Sequence, residues 1–182
     1  LHFDYLPGLD TFWVQATLAA ISANSGWEAR VRVCRARQLS AADLDGSSDP
    51  FAELEVLERG SEPAAVGDTA ANQVRRTTVV NSSLDPEWDQ VFAFRDVSAT
   101  ARLHLRMLDS DTFGSDDALG TLEVSVVLMM AISLDLDLGA AGVAAGVVES
   151  AADGEGVWFR LQGEGAGSGE VLLHFDFLPK LT

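Results

Sequence analysis

The chain has 182 residues, of which 47% are hydrophobic, with a formal net charge of -16 and a pI near 4.3. So acidic a surface argues against nucleic-acid binding, which needs a basic footprint. It also disfavours anionic membranes unless a cation intervenes. A single cysteine, Cys34, rules out an intramolecular disulfide and reads as a small buried strand residue.

In chain order, Leu1–Pro7 nearly repeats Leu173–Pro179, LHFDYLP against LHFDFLP. If the second copy closes a domain, the first closes a preceding one, so residues 1-9 read as the tail strand of an earlier repeat. Residues 10-28 read as a linker, with Asp10 capping a short helix over Thr11–Ala23 that Asn24-Ser25-Gly26 ends. No basic stretch precedes the first apolar run, so no secretory signal is expected. The runs Phe12–Ile21 and Val126–Ile132 fall short of the ~20 residues a membrane helix needs.

From Ala29 the chain reads as short strands separated by turn chemistry. These are Arg30–Leu39, Phe51–Leu57, Val74–Val80, Trp88–Phe94, Arg102–Leu108, Leu119–Val126, Val157–Leu161 and Val171–Leu178. The second sets Ala52, Leu54 and Val56 against Glu53 and Glu55, and the fifth sets Leu103, Leu105 and Met107 against Arg102, His104 and Arg106. The fold class expected is all-β: a sandwich over residues 29-179 whose eight strands suit two packed four-stranded sheets. An Ala-, Gly- and Val-rich insertion, about 127-156, precedes the seventh strand and reads as partly helical around Leu128–Leu138. Residues 180-182 are a tail.

Two acidic segments, Asp43–Phe51 and Asp109–Gly120, fall where strands break into turns. Carboxylates ~4 Å apart repel by roughly 4 kcal/mol at an effective dielectric of ~20, so such a cluster favours a cation. Oxygen ligands without His or Cys favour calcium. An EF-hand over Asp109–Gly120 fails, because Phe113 fills its fifth position and Gly120 stands where a bidentate Glu is needed. The loop Gly163–Gly169 lacks the Lys-Ser/Thr of a phosphate loop and precedes a strand. No Ser-His-Asp order carries a supporting motif, so no enzyme is expected.

Residues from about Ala29 to Pro179 resemble a C2 domain. The resemblance rests on Val31-x-Val33-x-x-Ala36-x-x-Leu39, then Asp43-x-x-Gly46-x-Ser48-Asp49-Pro50-Phe51, then Asn81-x-x-Leu84-Asp85-Pro86-x-Trp88. It is completed by Leu103-x-Leu105-x-Met107-x-Asp109-x-Asp111 with Asp117-x-Leu119-Gly120. It implies an eight-stranded antiparallel Greek-key β-sandwich with calcium-binding loops at one tip, and Asp43, Asp49, Asp109, Asp111 and Asp117 as ligands for two or three calcium ions. Asp45, Asp85 and Asp116 read instead as turn formers, since Asp is common in turns. Leu44 and Phe113 fall at loop-tip positions implied to touch the membrane; full burial of Phe113 would contribute roughly 1.5–3 kcal/mol. The family's basic lipid-binding groove is poorly matched, since Glu53, Glu55 and Glu58 accompany Arg75 and Arg76. The function implied is calcium-dependent docking to anionic phospholipid membranes, cytoplasmic and peripheral. The alternative is a non-catalytic scaffold domain, its acidic face, insertion and Thr11–Ala23 helix meeting protein partners, with calcium structural or absent.

Overall fold

The computed structural model describes residues 27–42, 46–65, 74–111, 115–135, 138–152 and 154–179. The expected tail strand and helix of the first 26 residues lie outside this set. Two antiparallel sheets face each other. One has the order β4-β1-β9-β8-β7, with β1 Trp27–Arg37, β4 Glu87–Val97, β7 Val147–Ser150, β8 Val157–Arg160 and β9 Glu170–Pro179. The other has the order β3-β2-β5-β6, with β2 Pro50–Leu57, β3 Arg75–Arg76, β5 Arg102–Asp109 and β6 Asp117–Ser125.

The alternation read in the sequence sets the core between the sheets. Ala29, Val31, Leu173 and Phe175 from one sheet are buried with Ala52, Leu54, Leu103, Leu105 and Met107 from the other. A bulge between Val33 and Arg35 shifts the phase of β1, so that Val33 and Ala36, three apart, both join this core. Cys34 is then buried outside it, in a small cluster with Ala151, Trp158 and Leu172.

Three expectations are corrected. The described strands number nine, because Val147–Ser150 of the insertion adds an edge strand beside β8. The third strand is only Arg75–Arg76, because beyond it the bonds of the chain are shared between β2 and β4: the Val80 N–H still donates to the Pro50 carbonyl at 3.1 Å. Thr77 still exchanges bonds with Ala52, but the Thr78 N–H donates to Gln90 Oε1 and Trp88 Nε1 donates to the Thr78 carbonyl. The insertion helix, α1 Val126–Ser133, ends before Leu138 with Asp135 at φ 53.

Ser125 caps α1 by accepting the Leu128 N–H. Val126, Leu128, Met129, Met130 and Ala131 are all buried, as expected of a helix apolar on every side. It packs on β9 and β6 and closes the sandwich at the end away from Asp117. A second helix, α2 Gly139–Ala144, leads into β7. No helix among the described residues is long and apolar enough to cross a membrane.

Candidate metal-binding tip

Strand register brings the acidic segments together. Pro50 opens β2 opposite Asp109 at the end of β5, and Asp109 stands opposite Asp117 at the start of β6. The Asp49 N–H donates to Asp109 Oδ1 at 2.5 Å, and the Ser110 N–H donates back to the Asp49 carbonyl at 3.0 Å. Asp109 is 2% exposed and Asp49 half-buried, so both carboxylates are held in place. Asp111 is half-buried and Asp117 exposed on the same rim. The other three tip residues of the sequence reading, Asp43, Leu44 and Phe113, lie outside the described residues, as does Asp45. Among the described residues no three His, Cys, Asp or Glu side chains converge as a metal-holding group.

Of the three expected turn formers, Asp85 and Asp116 fall among the described residues. Asp85 Oδ1 accepts the Gln38 N–H at 2.9 Å, and Asp116 Oδ1 accepts the Asp111 N–H at 3.3 Å. Asp116 thus bonds within its own loop, whereas Asp85 reaches across to the backbone just after β1.

A serine scaffold beneath the tip was not foreseen from the sequence. Ser82, at φ 52, donates its N–H to Asp49 Oδ1 at 2.7 Å, and the Ser83 N–H donates to the Ser48 carbonyl at 2.8 Å. The fully buried Ser48 accepts the Ala42 N–H and donates to the Ser40 carbonyl. The turn 81–86 is thereby tied to the acidic loop through Asp49. Its sequence, Asn81-x-x-Leu84-Asp85-Pro86, announces a turn but not this coupling.

The loop Gly163–Gly169 joins the same end. A Cβ on Gly165 (φ +69) would fall 1.7 Å from the Ala118 carbonyl oxygen, so only glycine lets the loop press against the start of β6. Its glycines serve packing.

The flanks carry little uncommitted positive charge. Apart from Arg59 and Arg75, each described arginine lies within ion-pairing distance of a carboxylate, among them Arg32 with Asp89, Arg37 with Glu149 and Glu170, and Arg102 with Glu123. Neighbouring charges act in the expected direction: Arg32 lowers the Asp89 carboxyl, and Glu149 and Glu170 raise Arg37. Glu53 and Glu55, expected on an acidic outer face, are buried at 2% and 1% exposure. Glu53 pairs with both Arg76 and Arg106, and Glu55 accepts the Ala64 N–H. One support of the scaffold alternative, the acidic face of β2, is therefore withdrawn. His174 lies on β9, between β1 and β8, and is half-buried in the middle of its sheet.

The family model described as the C2 domain matches residues 27–135, more than half of the chain. A C2 and GRAM domain-containing protein of Arabidopsis thaliana is 31% identical over 155 residues, covering 83% of this chain and 12% of that protein. Among solved structures, a single C2 domain of plant extended synaptotagmin 1 matches at a TM-score of 0.58 and 20% identity, covering 87% of this chain and 98% of that one. The calcium-bound pair of C2 domains from extended synaptotagmin 2 matches at 0.54 and 20% identity, covering 86% of this chain and 46% of that one. The chain spans only a small part of the plant relative's length. It belongs to the C2 domain family.

Proposed function

We propose that this C2 domain is a non-catalytic module that docks to anionic phospholipid in a calcium-dependent way, at the cytoplasmic face of a membrane. The observation that carries the reading is the joining of Asp49 to Asp109 at the meeting point of β2, β5 and β6, with Asp117 opposite Asp109 in register. An all-oxygen donor set without imidazole or thiolate fits calcium, which takes six to eight oxygens. Asp43, Asp49, Asp109, Asp111 and Asp117 would hold it, and Leu44 and Phe113 would enter the headgroup layer beside it. When bound, calcium supplies positive charge that carboxylates and lipid phosphates share.

The protein's part is to hold its carboxylates ready and to repel the surface until they are neutralised. At a net charge of -16 the chain opposes an anionic membrane, and the local ion pairs leave few arginines to offset this. The serine scaffold fixes Asp49 before any cation arrives, so less ordering entropy opposes binding. Calorimetric titration with calcium tests the reading. Heat of binding should be lost in an Asp109→Asn/Asp111→Asn variant that melts like the parent; unchanged binding in that variant sinks it.

The repeat extends the reading. In β9, Leu173 and Phe175 are buried and Phe177 packs on the core, and the first copy carries Leu1, Phe3 and Tyr5 at those positions. This supports residues 1-9 as the closing strand of a preceding C2 copy in the parent protein.

A further inference from the structure

On the outer face of the four-stranded sheet, residues 58–65 lie across the strands as a strap held by side chains. Arg102 Nη2 donates to the Ser61 carbonyl at 2.9 Å and Arg106 Nη1 to the Ala64 carbonyl at 2.7 Å. Both oxygens of Glu55 receive the Ala64 N–H, at 3.1 and 3.3 Å. The strap's own charged residues, Glu58, Arg59 and Glu62, are exposed, and Glu58 Oε2 accepts the Ser98 hydroxyl at 2.5 Å. A segment clamped by a few polar bonds belongs to the low-stability part of a fold.

Beneath the clamp lies His104, 9% exposed, between Glu55 on β2 and Glu123 on β6, its partners across the strands. Its buried Nδ1 makes no hydrogen bond, although Glu123 Oε1 lies 3.4 Å away. On the same face stand Arg102 and Arg106 of its own strand, Glu53 of β2 and Arg76 of β3. The arginines and Glu53, Glu55 and Glu123 balance in charge, so the closed face is neutral only while the imidazole is neutral.

We propose that residues 58–65 form a pH-released cover over the four-stranded sheet, with His104 as the trigger. A proton on the imidazole places a cation beside Arg102 and Arg106 in a site nearly closed to water. Relief comes when Glu55 turns to the ring, which takes its oxygens from the Ala64 N–H and unfastens the strap. Burial, with Arg106 adding to it, lowers the His104 pKa against the opposing pull of Glu123 and Glu55. The closed state therefore binds the proton less well than the open one. Closure is complete above the ordinary histidine range and weakens as pH falls through about 6.5 toward the lowered value.

Amide hydrogen exchange at Ala64, read by NMR and corrected for the intrinsic pH dependence of exchange, tests this. Protection of Ala64 should fall by at least about threefold between pH 7.5 and 5.5. That of Thr77, whose N–H bonds the Ala52 carbonyl of β2, should hold. In His104→Gln the Ala64 response should vanish. The proposal is overturned if Ala64 is insensitive to pH, if Thr77 falls with it, or if the variant responds like the parent. Should that variant not fold, the imidazole's own NMR titration in the parent replaces it: its midpoint must coincide with that of Ala64 protection, and separate midpoints overturn the proposal.

Discussion

Glu53→Ala removes a carboxylate that two guanidinium groups share. Glu53 is 2% exposed; Arg106 is 12% exposed and Arg76 32%. Deleting one member of a buried pair typically costs about 3–5 kcal/mol, because the survivor stays charged and desolvated. Here the loss is smaller. Arg76 can turn toward water, where a surface pair contributes little, and Arg106 keeps the Ala64 carbonyl. A destabilisation of about 2–3 kcal/mol follows, which in a domain of this size lowers Tm by roughly 4–12 °C. Glu53→Gln keeps an acceptor and should lose less. Thermal unfolding followed by circular dichroism, parent against both variants, provides the measurement. An alanine variant that melts with the parent would show that Glu53 is not the counter-charge of a closed face, and the account of the four-stranded sheet would fail.

Gly165→Ala should cost about 2–4 kcal/mol in denaturant unfolding, from left-handed strain and collision with the Ala118 carbonyl. Gly46→Ala, with φ +85 but open space, should cost only about 1 kcal/mol, and equal costs would contradict the packing role of the glycine loop. Met129→Ala should cost about 2–5 kcal/mol, since Met129 is fully buried; a neutral result would show that α1 is not part of the core. Cys34, whose pKa is raised by burial, should react far more slowly with Ellman's reagent in the native protein than in denaturant. Prompt native reaction would contradict its place under Ala151 and Trp158.

The period of two in Leu103-x-Leu105-x-Met107 and Ala52-x-Leu54-x-Val56 is enough to read the inner face of β5 and β2, since core residues alternate in a strand without a bulge. The same alternation sets Glu53 and Glu55 on the opposite side but says nothing of what covers that side. The strap comes from a polar loop that no periodicity marks. The edge strand Val147–Ser150 is hidden for a related reason: a short Val-Val run among Ala and Gly becomes a strand only because β8 offers it an edge. At the tip, the spacing of Asp109 and Asp111 places both on one rim. The pairing of Asp109 with Asp117, and the hold of Ser82 on Asp49, depend on register and loop closure between distant segments.

Co-sedimentation with phosphatidylserine-containing vesicles tests the central claim most directly. The account predicts that the protein pellets with vesicles in calcium, stays in the supernatant with chelator, releases as salt rises, and fails to pellet as Asp109→Asn/Asp111→Asn. Pelleting that survives chelation or that double substitution would contradict it.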